Sequence, residues 1–267
     1  MKIQLILWIA ILGFVLPSCY SGNGNVGANN FFGGGVSGEG EMIRKKLDVR
    51  DFESIDLQGS MDIVLTQGDG FLVEAEGQEN IIDLLNTAVD GNTWKVRLTK
   101  NVRNYKGLTV YITMPSLKNL HVSGSGNVRG ANTFEGLGVV DIGVSGSGNI
   151  QLGLQGESVE TRVSGSGNIQ LELNAKSLEA RISGSGDIKL AGQSDNFDAG
   201  IMGSGDINAA NLKTRSAGVS IAGSGDCSVD VSGSLKVKIA GSGDVYYTGE
   251  PQVEQKVSGS GEVKRRG

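Results

Sequence analysis

Apolar and polar side chains alternate along most of this 267-residue chain. Val159, Thr161 and Val163 alternate with Glu160 and Arg162, and after a short glycine-rich break Ile169, Leu171 and Leu173 alternate with Gln170 and Glu172. A two-residue period marks a β-strand with one face buried. The same pattern returns 19 residues on as Leu178, Ala180, Ile182, Ile188 and Leu190, and again as Phe197, Ala199, Ile201, Ile207 and Ala209. Each apolar position therefore stacks on a similar one in the next repeat, with Glu160 and Arg162 outside, under Glu179 and Arg181.

The breaks repeat as strictly as the strands. Gly-Ser-Gly followed by Asn, Asp or Glu begins at Gly124, Gly146, Gly165, Gly184, Gly203, Gly223, Gly241 and Gly259, in steps of 22, 19, 19, 19, 20, 18 and 18 residues. A period near 20 is that of a solenoid, whose coils cannot bury their apolar faces without neighbours. The fold expected is all-β, a parallel β-helix or β-solenoid with coils of about 19 residues, each made of two short strands and two turns. Seven or eight coils at roughly 4.8 Å give a rod of about 35–40 Å.

Glycine reaches positive φ without steric cost, so two glycines around a serine permit a very tight corner. The next residue forms a polar column up one edge: Asn127, Asn149, Asn168, Asp187, Asp206, Asp226, Asp244 and Glu262. Its expected role is to accept hydrogen bonds from nearby backbone N–H groups and hold the corner closed. Stacked carboxylates raise calcium as an alternative. Against it, the column supplies one side chain per coil and three of these are neutral Asn, so no metal and no other cofactor is expected.

Residues 42–118 lack the strict repeat but remain β-rich. Ile55 and Leu57, then Gly59-Ser60-Met61-Asp62-Ile63-Val64-Leu65, read as a decayed copy of the same strand and turn. Phe71, Val73 and Ala75 alternate, as do Trp94, Val96 and Leu98, and Leu108, Val110 and Ile112. Ile81, Ile82, Leu84, Leu85 and Ala88 have helix spacing, predicting about two and a half turns over Glu79 to Ala88. This part is expected to continue the coil and cap its first rung, ahead of the regular solenoid at 119–267. At the far end, Lys264-Arg265-Arg266 places charge where the last coil would expose an unpaired edge, which discourages end-to-end stacking.

The chain opens with Met1-Lys2 and an apolar run from Ile3 to Leu16, interrupted by Gln4 and Gly13 and followed by Pro17-Ser18-Cys19. A basic start, a short apolar stretch and a small residue form a secretory signal, 1–18. The cysteine directly after it resembles the lipobox of bacterial lipoproteins, which implies Cys19 as the lipidated first residue of the mature chain. Tyr20, rather than Asp, at the next place implies the outer membrane. Residues 19–41 are rich in Gly, Asn and Ser and read as a flexible tether. Within it Gly33 to Gly38 matches GxGxxG, but no strand precedes and no helix follows, so no dinucleotide site is read there.

Composition narrows the partners. Without residues 1–18 the chain carries 23 basic and 29 acidic side chains, a net charge of −6. An acidic surface of interspersed signs argues against nucleic acid. With Cys19 lipidated, Cys227 has no disulfide partner; it stands where other coils carry Ile169, Ile188 and Ile207 and reads as a small buried hydrophobe.

An enzyme has to be weighed, since glycoside hydrolysis needs two carboxylates across a cleft. A column of turn residues faces solvent at a convex edge instead, and His121, the single histidine, sits in a strand where it packs or meets water. No catalytic residue is assigned. The reading is a non-enzymatic envelope lipoprotein, an adhesin or structural solenoid; the alternative is a polysaccharide lyase or hydrolase. The partners expected are the membrane, through the N-terminal lipid, and a host or cell-surface glycan or protein. Homo-oligomers stay open.

Phe52 and Ile55 in an opening strand, Gly59-Ser60-Met61-Asp62-Ile63, Asn80 before a short helix, Met114-Pro115-Ser116-Leu117 and then serial Gly-Ser-Gly turns carry a family resemblance. Over roughly residues 42–263 the chain resembles the putative autotransporter adhesin, head GIN domain family. The resemblance implies a β-helical fold similar to pectin-lyase-type proteins, an envelope lipoprotein and an adhesive role, with no catalytic residues.

Overall fold

A computed structural model describes residues 34–266. The signal segment, Cys19 and the greater part of the expected tether lie outside the described residues.

The alternating stretches form a β-solenoid. Asn127–Gly146, Asn149–Gly165, Asn168–Gly184, Ile188–Gly203, Ile207–Gly223 and Cys227–Gly241 are strands of 15 to 20 residues, each parallel to the next. The stacking read from the sequence is the register observed. Val159, Leu178, Phe197, Ala217 and Leu235 form one inward column, and Ile150, Ile169, Ile188, Ile207, Cys227 and Val245 another. All are at most 6% exposed.

Where two short strands and two turns were expected, each coil is one long strand that bends at its second corner. There the ladder runs on through Gly156 and Ala175 to Ser158 and Ser177. The bend stacks Leu137, Gly156, Ala175, Ser194 and Thr214, mostly small residues that let the backbone turn without leaving the sheet. Ser194 and Thr214 are buried, and their hydroxyls donate to the carbonyls of Asn196 (2.9 Å) and Asp230 (2.8 Å). A buried hydroxyl with a carbonyl partner avoids the cost of an unmet donor. The irregular steps are absorbed as bulges: the 22-residue step becomes two register shifts between Arg129 and Leu137, and the 20-residue step one between Lys189 and Ala191.

The N-terminal stretch both starts the solenoid and closes it. Ser54–Gly59 and Asp62–Gln67 lie parallel under Asn119–Gly124 and the start of Asn127–Gly146, so the decayed turn is a true coil. On their other side lie Thr93–Val96 and Leu108–Met114, also parallel. Leu72–Gln78 then pairs antiparallel with Leu108–Met114, and Met42–Leu47 antiparallel with Leu72–Gln78. The chain thus lays one coil, builds the cap outside it, and returns through Met114-Pro115-Ser116-Leu117 to continue on the opposite side. Phe52, fully buried, packs on Phe71 and Trp94 at ring centroid distances of 5.1 and 5.5 Å, and the Trp94 indole donates to the Asn86 carbonyl.

Two expectations are corrected here. The helix is a single turn, Glu79–Ile82, rather than two and a half. Ile81, Ile82 and Leu85 are buried as their spacing requires, but from the Leu84 carbonyl onward the backbone is claimed by a neighbouring segment. Asn86 donates to the Arg97 carbonyl, and Thr99 donates to that of Leu84. The described end of the stretch read as a flexible tether is held in place. Val36–Ser37 pairs with Val102–Arg103, the Asn80 side chain bonds Ser37 and Glu39, and Gln78 bonds the Gly40 carbonyl. Two buried or half-buried amide side chains pin a segment whose own side chains offer little apolar surface.

At the C-terminal end, Val245–Thr248 lies on Cys227–Gly241 and carries Val263–Arg265. Gln252–Gly259 pairs with Ser234 to Gly241 and is exposed along its whole length. The basic tail lies in and just after the last strand, Val263–Arg265, as expected, and its side chains turn onto their own coil. Lys264 folds back on Asp244 (3.2 Å) and Glu262, Arg265 on Glu250 (3.1 Å), and the Arg266 guanidinium lies 3.6 Å from the centre of the Tyr246 ring.

Candidate binding surface

The turn edge is built from the closeness of successive coils. The first glycine of every Gly-Ser-Gly turn has φ between +130° and +146°. In addition, a Cβ on Gly146 or on Gly148 would collide with the carbonyl of Gly124 or Gly126 in the coil below. The contact is this tight because the Gly124 carbonyl accepts both the Ser147 and the Gly148 N–H, each at 2.9 Å, and the arrangement recurs up the rod. Side chains are excluded by the stacking as well as by φ.

The polar column is a ladder between coils. Asn127 donates its side-chain amide to Asp62 (2.9 Å), Asn149 to Asn127 (2.8 Å) and Asn168 to Asn149 (2.8 Å). From Asp187 the donor changes. The backbone N–H of Asp187 bonds the Asn168 side-chain oxygen, and the N–H groups of Asp206, Asp226, Asp244 and Glu262 each bond the carboxylate one coil below at 2.7–3.0 Å. The reason is chemical: a carboxylate has no hydrogen to give, so its own backbone must donate. The bonds run to the neighbouring coil, where the sequence pointed to the residue's own corner. Asp62 is the member that sequence reasoning left out; its place three residues after Gly59, as Asn127 stands three after Gly124, was the available signal.

These carboxylates are occupied by protein donors and lie on an exposed edge. Asp244 is held below the usual carboxylate range, first by the Glu262 N–H and then by the Tyr246 hydroxyl and Lys264. Among the described residues no group of three or more His, Cys, Asp or Glu could hold a metal ion. His121 is exposed, its Nε2 3.1 Å from the Ser145 hydroxyl and its ring beside Gly143. Cys227 is fully buried, and burial pushes its thiol up to about 12.

The outer face of the sheet leading into the turns is a different kind of surface. Arg162 bridges Asp141 (2.9 Å) and Glu160 (2.6 Å), and Arg181 bridges Glu179 (3.0 Å) and Asp198 (3.1 Å). In the next coil Gly200, the register partner of Arg181, carries no side chain, and the Arg181 guanidinium lies across it. The result is an open groove of about 570 Å³ between Arg162, Arg181 and Asp198 on one flank and Met202 and Ala222 on the other. Met202 is 63% exposed. Along the second corner a more polar groove of about 640 Å³ runs past Gln155, Glu157, Asn174, Lys176 and Asp195. Neither groove was singled out from the sequence, because each is made of outward residues from three or more coils.

Comparison with known proteins assigns the architecture. The family model described as putative auto-transporter adhesin, head GIN domain, matches residues 51–251. The chain belongs to this family. Among solved structures it is similar to a putative adhesin from Parabacteroides distasonis ATCC 8503, at 26% identity and a TM-score of 0.84 over 87% of this chain and 100% of that one. A putative adhesin from Parabacteroides merdae ATCC 43184 is 28% identical, with a TM-score of 0.83 over 87% and 99% of the two chains. A putative lipid binding protein from Parabacteroides distasonis ATCC 8503 is 27% identical, with a TM-score of 0.79 over 87% and 99%. No curated protein matches the chain. Membership in the head GIN family supports an adhesin-like, non-enzymatic role and a cell-surface or envelope location.

Proposed function

We propose that this head GIN protein is a cell-envelope lipoprotein, held to the outer membrane through Cys19, whose solenoid is a rigid binding surface for a cell-surface glycan or protein. The observation that carries the reading is the groove over Gly200. It combines fixed charges, each braced by ion pairs to neighbouring coils, with an exposed methionine, in a shape open to solvent along its length. Such a surface holds a ligand by several shallow contacts and offers no enclosed space in which to exclude water from a reaction. The turn-edge carboxylates of Asp187, Asp206, Asp226 and Asp244 already accept backbone N–H groups, which supports binding over the lyase or hydrolase alternative.

The test has two arms. Labelled palmitate should enter the chain in cells and be lost on Cys19→Ser, with the substituted protein released from membranes. Met202→Asp should weaken adhesion of intact cells to glycan- or protein-coated surfaces while the purified protein melts as before. Retention of the Cys19→Ser protein on the membrane after signal cleavage removes the anchor. Unchanged adhesion by the Met202→Asp cells removes the groove.

A further inference from the structure

The strand Gln252–Gly259 is the outermost full strand of the solenoid, and among the described residues nothing pairs with its outer edge. An exposed edge eight residues long is a template for another strand. Its inward positions continue the core: Val253, Gln255 and Val257 stack on Leu235, Val237 and Ile239. Val253 and Val257 are nonetheless 39% exposed, because among the described residues no further coil covers them.

The five central residues read Val253-Glu254-Gln255-Lys256-Val257. Reversed, the segment has the same apolar ends and the same centre, with the charges exchanged. Two copies laid antiparallel with Gln255 opposite Gln255 therefore place each Glu254 opposite the other copy's Lys256, and each Val253 opposite the other's Val257. A slip that keeps inward residues inward moves the centre by one residue, and it sets Glu254 against Glu254 or Lys256 against Lys256. Opposite charges directly across an antiparallel pair are favourable, and like charges there are unfavourable. One register is selected by attraction and its two neighbours are excluded by repulsion.

The coil beneath supplies an independent reason. Glu254 lies over Lys236, with which it forms an ion pair at 3.1 Å, but Lys256 lies over Lys238. Among the described residues neither Lys238 nor Lys256 has an acidic partner within ion-pair distance. A carboxylate arriving across the edge at Lys256 neutralises this stacked pair. Gln255 makes no side-chain hydrogen bond among the described residues and sits at an inward place, where the amide of an opposed Gln255 can meet it.

We propose that the protein forms a two-fold symmetric homodimer by antiparallel pairing of Gln252–Gly259 in the register centred on Gln255. A two-fold contact uses the same patch on both copies and closes after one partner. Lys264, Arg265 and Arg266 do not oppose it, since each is already engaged on its own coil.

The decisive variants are Lys256→Glu and Glu254→Lys. Within one molecule Lys256→Glu replaces a stacked lysine pair by Lys238–Glu, so the fold is kept; across the two-fold it sets Glu against Glu254. Sedimentation equilibrium of the full chain in a density-matched detergent should show a concentration-dependent dimer for the unmodified protein. Each single variant should weaken it by about ten-fold or more. An equimolar mixture of the two variants should restore a one-to-one dimer, since every opposed pair is then Lys–Glu. A single variant that dimerises like the parent overturns the proposal. So does a parent that stays monomeric, and in that case hydrogen exchange decides whether another part of the chain covers the edge (slow 252–259 amides) or nothing does (fast ones).

Discussion

The two ends of the solenoid meet the same problem and handle it differently. A stacked coil always leaves one strand unpaired and one layer of core uncovered. At the N-terminal end the chain reverses direction: Leu72–Gln78 runs antiparallel on Leu108–Met114, and Met42–Leu47 antiparallel on that. Phe52, Phe71 and Trp94 fill the layer beneath, and the single helical turn adds Ile81 and Ile82. At the C-terminal end no described strand covers the last coil, and Val253 and Val257 are left half covered. The contrast teaches that capping here comes from strands of another polarity and from large aromatic side chains, neither of which the repeat supplies.

The largest effect expected is at the closed end and in the middle. Trp94→Ala should cost about 3–5 kcal/mol, as large aromatic truncations in packed cores do. Val253→Ala, an inward residue at the open end, should cost less than about 1 kcal/mol in denaturant melts of the monomer. Similar losses for both would break the contrast between the ends. In the central coils, Ile188→Asp should destabilise by several kcal/mol, because it buries an unpaired charge, whereas outward Lys189→Asp should stay within about 0.5 kcal/mol. Equal effects there would refute the inward and outward assignment.

A smaller loss separates the turn edge from the second corner. Gly146→Ala forces a Cβ against the Gly124 carbonyl at φ +137° and should cost about 1–3 kcal/mol. Ser177→Ala, at the second corner where the strand merely bends, should be within about 0.5 kcal/mol. If the melts rank these two the other way, the turns do not hold the coils at their spacing.

The next effect is one of pH and is confined to the open end. The Asp244 carboxyl has its folded pKa depressed, first by the Glu262 N–H. Its contribution is therefore present above the unfolded value, near 4, and is lost as pH falls through the folded one. Protection factors of the amides of residues 245–266, measured against their intrinsic exchange rates, should be lower below about pH 4 than at neutrality, and Asp244→Asn should flatten that dependence. An identical acid response in parent and variant would assign the acid sensitivity elsewhere.

The smallest effect is expected from replacing Asp187, Asp206, Asp226 and Asp244 together by Asn. Asn168 already accepts the next coil's N–H through its side-chain oxygen, so the ladder should persist and the melt move by no more than about 1 kcal/mol. Calcium should shift neither melt. A calcium-dependent rise in the parent that disappears in the four-Asn protein would show that the column binds the ion, because a ligand of the folded state alone stabilises it by mass action.

Much of this was open to reading in the residues themselves. The turns at Gly124 to Gly259 mark every coil, and the alternation around Ile169, Ile188 and Ile207 gives both the buried face and the vertical register. These are local consequences of chirality and burial: a two-residue period has one dry side, and a constant repeat puts like on like. The decayed turn at Gly59 was visible too, and with it the first coil. The helix length was not, because spacing at Leu84 and Ala88 cannot reveal that the segment from Arg97 to Thr99 will take the backbone bonds. Nor could composition show that Asn80 and Gln78 would hold residues 37–40.

What the sequence alone determined is the coil: its period, its inward residues, its glycine corners and the family they belong to. Only the tertiary structure decided how the chain leaves the first coil to build a cap and returns, that the Asx side chains bond between coils, and that Val253 to Val257 lie on an open edge. The physical reason is range. Alternation and turn chemistry act within a few residues, whereas caps, grooves and edges depend on which strands lie side by side after the chain has stacked.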